Sequence, residues 1–440
     1  MNSTIAAIAT ASGRGAIAII RVSGPDSLKA YSFLTKKPQM PAANQIKPAW
    51  IYDGKEKIDQ SMLVYFQSPN SFTGEDMLEI HCHGSKVVQS SIMQLLNSIG
   101  IEPAKPGEFS ERAYYNGKID VAQAEAIMEL VSSENTRIAR LATRQLAGEF
   151  SNKIAEIRNS LISLASAVSA DLDFSEEDVP NISKSSVEKS LNTALDDIRK
   201  VQAGSEILPK LREGIHVALI GIPNAGKSTL LNSLLGYDRS IVTEVAGTTR
   251  DTISESVEID GVNYHFTDTA GLNENPDEVE KIGIEKTIET LKSADIILLL
   301  IEPGKSGETY DFIKSNDLAE HIEKSKTITV RTKSDLSATP KGISISAKSG
   351  KGIDKLIKKI QSISDLKDQG SLQILTMRQI NILARVEQSL VGLIDKLESL
   401  TNDIIGAELQ VAIGDLNELT GDQASNQIID SIFRNFCIGK

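Results

Sequence analysis

Apolar and polar residues alternate along this chain with two different periods, and the period changes partway along. In the first part, short apolar runs of strand length lie between Gly, Pro and Asn turns, over residues 16–25, 61–66 and 77–81. Apolar residues at helical spacing follow over residues 87–96. This mixture predicts an α+β domain, which we place at residues 1–118.

Beyond this domain the apolar residues recur every three or four positions, as on one face of an amphipathic helix. They are Val121, Ala124, Ile127, Met128, Val131, Ile154, Ile157, Leu161 and Leu164, and after Gly370 they are Ile374, Ile380, Leu383, Val386, Leu390, Ile394, Leu397, Leu409, Ile413 and Leu416. We predict one discontinuous helical domain over residues 119–212 and 368–440, because termini and insertion points tend to lie close together. Two separate helical domains are the alternative.

Residues 213–367 would form the inserted domain. Within it, residues 221–229 read Gly-Ile-Pro-Asn-Ala-Gly-Lys-Ser-Thr and fit the P-loop pattern G-x-x-x-x-G-K-[ST]. An apolar run precedes the loop and leucines at helical spacing follow, so the loop joins a strand to a helix, whose N-terminal N–H groups favour phosphate. The predicted nucleotide-binding residues are Asn224, Ala225, Gly226, Lys227, Ser228 and Thr229. Lys227 would contact the β- and γ-phosphates, and Ser228 would bind Mg²⁺.

A hairpin is predicted from residues 254–259 and 262–267 around the turn Asp260-Gly261. It ends at Asp268-Thr269-Ala270-Gly271, where Asp268 would hold Mg²⁺ through water and Gly271 would bring an amide to the γ-phosphate. The earlier segment Gly247-Thr248-Thr249-Arg250-Asp251 fits a switch, in which Thr249 completes the Mg²⁺ shell when γ-phosphate is present.

The base-binding motifs follow predicted strands at residues 296–301 and 327–330. In Thr332-Lys333-Ser334-Asp335, the carboxylate of Asp335 can accept from two guanine N–H groups that adenine lacks, so it would select GTP. Ser346-Ala347-Lys348 would rest its backbone against guanine O6. Such motifs usually begin with Asn, which braces the P-loop and the base site. With Thr332 in its place, we expect weaker nucleotide binding and unchanged specificity.

The residue after Gly271 is Leu272, where Ras-like switches carry a Gln that orients the attacking water. A leucine side chain cannot do this, so hydrolysis would be slow or another group would replace the Gln. The nearby carboxylates are Glu274, Asp277, Glu278 and Glu280. From spacing alone, each is better interpreted as part of a solvated acidic loop.

Composition narrows the class of protein. The formal net charge of −12 argues against a general nucleic-acid binder, and two cysteines, Cys82 and Cys437, cannot form a disulfide framework. The longest apolar run is far shorter than a membrane span. An Ala-x-Ala at residues 9–11 suggests a signal peptide, but no basic residue precedes Arg14, so we predict that the apolar N-terminus is a buried strand. The lack of a disulfide framework fits a reducing compartment, so we predict a cytoplasmic protein.

Arg21 and Glu79 are charges inside apolar runs of the N-terminal domain. Burial of an unpaired charge is costly, so we expect them to pair with each other or to reach the surface, unless they serve a site. His81 and His83 would share one strand face and suggest a metal site. Since no third ligand stands nearby in the sequence, we interpret them as structural.

Taken together, these motifs resemble the MnmE (TrmE) family of tRNA wobble-uridine modification GTPases. The resemblance rests on residues 221–228, 246–251, 268–272, 277–285 and 436–440, and in the N-terminal region on residues 13–15, 71–76 and 106–113. It covers essentially the whole chain. The fold it implies is a multidomain α+β and α/β protein, with an N-terminal α+β folate-binding-like domain, a discontinuous helical domain and an inserted Ras-like P-loop G domain.

The resemblance also implies K⁺ beside the phosphates, coordinated by Asn224, Thr243, Val245 and Thr248. This cation would neutralise charge that an arginine finger stabilises in other GTPases. Glu280 would orient the attacking water. Further nucleotide contacts would come from Thr243, Glu244, Val245, Ala246, Gly247, Thr248, Thr249, Thr269 and Ala270.

In the same way, the resemblance implies a tetrahydrofolate one-carbon derivative (5,10-methylene or 5-formyl) bound by Arg21, Glu79, Lys118 and Lys440. Cys437 would lie near it, and a small buried hydrophobe is the alternative for that residue.

The implied assembly is a homodimer through the N-terminal domains, with G domains that dimerise across nucleotide. With an MnmG-type FAD protein it would form a heterotetramer that adds a (carboxymethyl)aminomethyl group at C5 of tRNA U34. The alternative is a ribosome-assembly or regulatory switch GTPase without modification chemistry, which would leave the N-terminal region and the residues from Cys437 to Lys440 unexplained.

Overall fold

A computed structural model describes residues 3–39, 41–173, 182–237, 254–268, 279–322, 326–336, 342–364, 373–422 and 425–440. In chain order, its elements up to residue 213 are β1 (Ile5–Ile8), β2 (Ile17–Ser23), α1 (Ser27–Thr35), β3 (Lys47–Asp53), β4 (Glu56–Phe66), β5 (Met77–His83), α2 (Lys86–Ser98), β6 (Glu102–Pro103), α3 (Glu108–Tyr115), α4 (Val121–Ser132), α5 (Thr136–Leu146), α6 (Glu149–Asp173), α7 (Lys184–Gln202) and α8 (Leu208–Glu213).

The elements that follow are β7 (Ile215–Ile220), α9 (Lys227–Tyr237), β8 (Ser254–Ile259), β9 (Val262–Asp268), α10 (Val279–Ser293), β10 (Ile296–Ile301), α11 (Ser306–Ser315), β11 (Thr327–Arg331), β12 (Ile343–Ser344), α12 (Ile353–Ser364), α13 (Met377–Lys396), α14 (Asn402–Thr420) and α15 (Asn426–Phe433). The chain divides into two compact units. The first comprises Met1–Val131, Thr143–Lys200 and Thr376–Lys440, and the second comprises Ser132–Ala142 and Val201–Leu375.

The first unit contains a sheet with the strand order β3-β4-β5-β2-β1-β6. β2, β4 and β5 confirm the three predicted strands, and β1 confirms the buried strand predicted at the N-terminus. Alternate residues of β2 and β5, such as Ile20 and Ile80, are buried in a core that also contains Leu34 and Ile92 from helices α1 and α2. The sheet is therefore covered by helices on that face, as the α+β prediction requires.

The first unit also holds helices from both predicted helical stretches. Asn402 at the start of α14 donates to Asp171 of α6 (2.6 Å between Nδ2 and Oδ2). Glu125 of α4 is buried and accepts from Arg378 Nη2 (2.8 Å) and Gln379 Nε2 (2.7 Å) of α13. Helices that are far apart in sequence thus pack together, which favours a single discontinuous helical domain. Its predicted boundaries stay a prediction.

The second unit contains a sheet with the strand order β12-β11-β10-β7-β9-β8. β7 runs parallel to β9 and β10, the pairs β10–β11 and β11–β12 are parallel, and β8 is antiparallel to β9. The predicted hairpin is present, and both turn residues, Asp260 (φ 52°) and Gly261 (φ 77°), are left-handed. In such open sheets ligands bind at the carboxyl ends of the parallel strands, where the strand order reverses. Here that point is the end of β7.

The fold class is as predicted, with an α+β part, a helical part and an α/β part. Within the described part of the chain, no helix is both long and apolar enough to cross a membrane.

Candidate functional site

The P-loop leaves the carboxyl end of β7 and enters α9 at Lys227, which confirms the predicted strand–loop–helix arrangement. Gly221 has no room for a side chain, because a Cβ there would lie 2.8 Å from the backbone oxygen of Leu300. Asn224 (φ 63°) and Gly226 (φ 95°) are left-handed, so the chain can reverse before the helix begins. The loop is therefore held tightly against β10 at its start.

Lys227 is 5% exposed, although it carries a charge. Its Nζ donates to the backbone oxygens of Gly221 (2.8 Å) and Ile222 (3.4 Å). Burial lowers the pKa of this ammonium group, and the carboxylate of Asp268 opposes that shift. A partly desolvated cation at the start of a helix is suited to receiving a phosphate, which would restore the favourable interactions that burial removes.

Asp268 is the last residue of β9, and it pairs with Leu219 of β7 in the parallel ladder. The structure thus places its backbone beside the strand end from which the P-loop departs. Ser228, Thr229 and Asn224 are exposed, and Ala225 is buried. The Ser228 hydroxyl, which is predicted to bind Mg²⁺, is therefore accessible at this edge of the sheet.

Several predicted site residues lie outside the described residues. They are Thr243, Glu244, Val245, Ala246, Gly247, Thr248, Thr249, Thr269, Ala270 and Gly271, and the same holds for Leu272, Glu274, Asp277 and Glu278. Glu280 lies in the first turn of α10, and the structure describes its backbone but not its side chain. The predicted roles of all these residues stay predictions.

The loop from Thr332 to Asp335 follows β11 at the same edge of the sheet. Thr332 N donates to Ile301 O (3.0 Å) and Ser334 N donates to Ile345 O (3.0 Å), so the loop is fixed to the ends of β10 and β12. Lys333 has a left-handed backbone (φ 51°). This arrangement leaves Asp335 exposed at the end of the loop.

The carboxyl group of Asp335 has a lowered pKa, first because of the nearby Ser346 hydroxyl and to a smaller degree because of the charge of Lys348. An ionised, accessible carboxylate has only acceptor sites, as a clamp for two neighbouring N–H groups requires. Ser346 is buried and Ser346 N donates to Lys351 O (2.9 Å), whereas Lys348 is exposed. Ala347 lies between them in the same short loop and is half-buried.

Sequence reasoning missed Glu302, which directly follows β10. Its Oε1 lies 2.8 Å from Lys333 Nζ, and this contact is the main reason that the pKa of Glu302 is lowered. The ion pair holds the Lys333 side chain at the strand ends. The available signal was its position, since a charged residue directly follows six buried apolar ones.

In the first unit, Arg21 and Glu79 face each other on β2 and β5. Arg21 Nε donates to Glu79 Oε1 (2.8 Å), so the predicted mutual pairing is present. The guanidinium also lies over the Phe72 ring, 5.8 Å from its centroid, and His81 Nε2 lies 3.2 Å from Glu79 Oε2. Phe72 was part of a recognised motif but had no predicted role.

His83 contacts Asp59 rather than His81, because its Nδ1 is hydrogen-bonded to Asp59 Oδ1. Cys82 points to the opposite, buried side of the strand, where burial raises the pKa of its thiol to about 11. Within the described ranges, no group of three His, Cys, Asp or Glu residues is arranged to hold a metal ion. The histidines therefore act as partners of buried carboxylates.

The C-terminal residues pack onto the N-terminal sheet. A Cβ on Gly439 (φ 92°) would lie 2.6 Å from Ile8 O, so the tail touches the backbone at the end of β1. Phe436 is buried in a cluster with Phe433, against which Phe72 also packs. Cys437 is exposed, and its carbonyl accepts from Lys440 N (3.3 Å). The structure thus links the tail to Arg21 and Glu79 through Phe72.

Lys118 lies beside the loop that carries Phe72. Its Cε would be 3.4 Å from a Cβ placed on Gly74. The loop is anchored by Arg112, which is 1% exposed and bonds to Glu75 (3.1 Å, Nη1 to Oε2) and Glu108 (2.8 Å, Nη2 to Oε1). The two recognised N-terminal motifs, residues 71–76 and 106–113, are therefore joined by a buried ionic network.

Two family models match this chain. One, described as GTP-binding protein TrmE N-terminus, matches residues 4–118, and the other, described as MnmE helical domain, matches residues 121–437. Together the two matches extend over almost all of the sequence.

Curated relatives match at full length. The tRNA modification GTPase MnmE of Histophilus somni (strain 129Pt) is 38% identical over 455 residues, which cover 99% of each chain. The protein of the same name from Vibrio cholerae serotype O1 (strain El Tor Inaba N16961) is 38% identical over 452 residues, again 99% of each chain. Among solved structures, the G domain of the T. maritima FeoB iron transporter covers 34% of this chain and 99% of its own, at 22% identity and a TM-score of 0.27, too low to add to these matches.

Proposed function

Because this chain belongs to the MnmE family of tRNA modification GTPases, we propose that it hydrolyses GTP to drive modification of tRNA at C5 of the wobble uridine U34. In this proposal it works with an MnmG-type flavoprotein carrying FAD, and the group added is (carboxymethyl)aminomethyl. The protein acts as a homodimer in the cytoplasm, and its two G domains associate across bound nucleotide.

The observation that carries the GTPase part is the meeting of four motifs at one edge of the second sheet. The P-loop follows β7, Asp268 ends β9, Asp335 lies in the loop after β11, and Ser346 follows β12. Parallel strands bring their carboxyl ends to the same edge, so residues separated by more than a hundred positions face one ligand. Phosphates would lie over Lys227, and the base would lie near Asp335.

Mg²⁺ fits the oxygen donors at this edge, since the exposed hydroxyl of Ser228 and the carboxylate of Asp268 are the hard ligands it prefers. Thr249 would complete the set. The ion would neutralise phosphate charge, while Lys227 holds the β- and γ-phosphates and the P-loop amides orient them.

K⁺ fits Asn224, because this residue is exposed and its left-handed backbone turns the chain beside the phosphate cradle. Thr243, Val245 and Thr248 would supply the remaining oxygens. A monovalent cation there would offset charge that develops between the β- and γ-phosphates. Glu280 would position the attacking water in place of the Gln that Leu272 replaces.

A tetrahydrofolate one-carbon derivative fits the first unit by its chemistry. A carboxylate such as that of Glu79 can accept from neighbouring pterin N–H groups while it keeps its contact with Arg21, because it has about four acceptor positions. Phe72 offers an apolar wall, and Lys118 and Lys440 are cations for the ligand's carboxylates. The tail places Cys437 nearby, with no reaction step assigned to it.

The test is a nucleoside profile of tRNA from cells that lack the gene, complemented with the wild-type protein or with Lys227→Met. We expect the C5 modification of U34 to disappear in the deletion strain and to return only with the wild-type protein. An unchanged profile in the deletion strain would refute the modification role. It would favour a ribosome-assembly or regulatory switch GTPase instead.

A further inference from the structure

Thr332 holds the position at which guanine-binding motifs usually carry Asn, and the structure shows how its side chain is used. It is 3% exposed. Both of its donors point to the same acceptor, because its backbone N (3.0 Å) and its Oγ1 (3.5 Å) lie within reach of Ile301 O. The hydroxyl is therefore directed back towards the end of β10. Thr332 is buried at this position, whereas Asp335, three residues later, is exposed.

The hydrogen-bonding groups of guanine define which contacts a binding site can make with the base. Guanine offers N–H donors at N1 and its exocyclic amine, and acceptors at O6 and N7. Asp335 suits the donors, and the backbone at Ala347 suits O6. N7 requires a further donor. An Asn amide has two N–H groups, so it can brace a neighbouring loop and still donate to N7, whereas Thr has a single hydroxyl hydrogen.

We propose that Thr332 leaves guanine N7 without a side-chain donor, so that this protein binds 7-deaza-GTP as tightly as GTP. The proposal rests on the guanine-nucleotide site described above and adds to it which edge of the base is recognised. Specificity does not suffer, because adenine also presents an acceptor at N7. A contact there raises affinity for both purines without distinguishing them.

The position of Thr332 beside the P-loop is consistent with a side chain that does not donate to guanine N7. Among the described residues, and apart from the chain neighbours of Gly226, the atom nearest to a Cβ built on Gly226 is Thr332 Cβ, at 3.8 Å. Thr332 therefore approaches the P-loop at Gly226 through its Cβ. This approach does not need the hydroxyl, and an apolar side chain of the same shape would preserve it.

The experiment measures Kd for GTP and for 7-deaza-GTP, in Mg²⁺ and K⁺, with the full-length wild type, Thr332→Val and Thr332→Asn. For the wild type and Thr332→Val, we expect a ratio of the two Kd values close to 1. For Thr332→Asn, we expect GTP to bind about 2- to 10-fold more tightly than 7-deaza-GTP, which is the usual net worth of one hydrogen bond.

A wild-type ratio of about 3 or more would overturn the proposal. If Thr332→Val abolishes that ratio, the hydroxyl donates to N7, and if Thr332→Val retains it, another group does. A ratio near 1 for a folded Thr332→Asn would also overturn the proposal, since the position would not reach N7 at all. If Thr332→Asn does not fold, the wild type and Thr332→Val still decide the question.

A separate variant distinguishes this proposal from the guanine site on which it rests. Asp335→Asn should exchange the preference from GTP to xanthosine triphosphate, whose C2 oxygen accepts from the new amide. Without that exchange, the guanine clamp itself is wrong. With it, a failure in the 7-deaza comparison concerns Thr332 alone.

Discussion

The two candidate sites of this protein are built in different ways. In the second unit, the candidate site would consist of backbone amides and short contiguous motifs, and each motif lies at the carboxyl end of a parallel strand. In the first unit, the candidate site would combine the side chains of Arg21, Phe72 and Glu79, which come from separate positions, with the backbone of the tail at Gly439. A backbone site leaves a pattern in the sequence, whereas a side-chain site becomes recognisable only when the fold brings its members together.

Among the variants that test how the second site is built, Lys227→Met is expected to have the largest effect. We expect kcat/KM for GTP hydrolysis to fall about 1000-fold, because the cation that binds the transferred phosphate is removed. Without nucleotide, Tm should stay constant or rise. The reason is that burial lowers the pKa of Lys227, so its charged form is unfavourable in the empty site.

Lys189→Met serves as the control, since Lys189 is an exposed lysine on α7. It should leave hydrolysis and Tm unchanged. A fall in Tm for Lys227→Met that matches the loss of activity would contradict the assignment, because the residue would then act mainly in stability.

The next effect concerns Glu280, whose role rests on the family resemblance. Glu280→Ala should lower kcat about 100-fold, which is typical of the loss of a group that orients or deprotonates water. Kd for a non-hydrolysable GTP analogue should change less than 2-fold. We would measure single-turnover hydrolysis and analogue binding in parallel. Wild-type turnover in this variant would exclude the assigned role.

A smaller effect is expected from the monovalent cation. We predict that hydrolysis in K⁺ is about 10-fold faster than in Na⁺, and that Asn224→Ala removes most of this difference. Ala also tolerates the left-handed backbone of this position (φ 63°) less well than Asn. Asn224→Gly is therefore a second test variant, because it removes the side chain without this strain and should show the same loss of the K⁺ effect. Equal rates in K⁺ and Na⁺ for the wild type would remove the cation from the mechanism.

For the second unit, the sequence predicted the P-loop between a strand and a helix, the hairpin of β8 and β9, and the strands β10 and β11, because a glycine pattern and buried apolar runs specify the backbone path directly. It did not predict Glu302, whose contact with Lys333 depends on how β10 and β11 pair. It also gave no indication that the Thr332 hydroxyl turns towards Ile301. In the first unit it identified Arg21 and Glu79 as anomalous charges. The part played by Phe72 became visible only with the packing of the tail.

The smallest expected effect concerns the C-terminal tail. Labelling of the two cysteine thiols tests whether the tail belongs to the site of the first unit. Cys82 is buried with a pKa of about 11, so at pH 8 it is almost entirely protonated and should react only after denaturation. Cys437 is exposed and should react in the native protein. A saturating tetrahydrofolate derivative should slow the labelling of Cys437 several-fold, and Glu79→Gln should weaken this protection by weakening ligand binding. Raising the pH should increase labelling of Cys82 in the native state only slightly, because burial still limits access.

If the ligand binds, as shown by a direct titration, and Cys437 is labelled at an unchanged rate, the tail lies apart from the ligand. The first unit would then hold a compact site around Arg21 and Glu79, and the contrast with the second unit would be smaller than the packing of Gly439 and Phe436 implies.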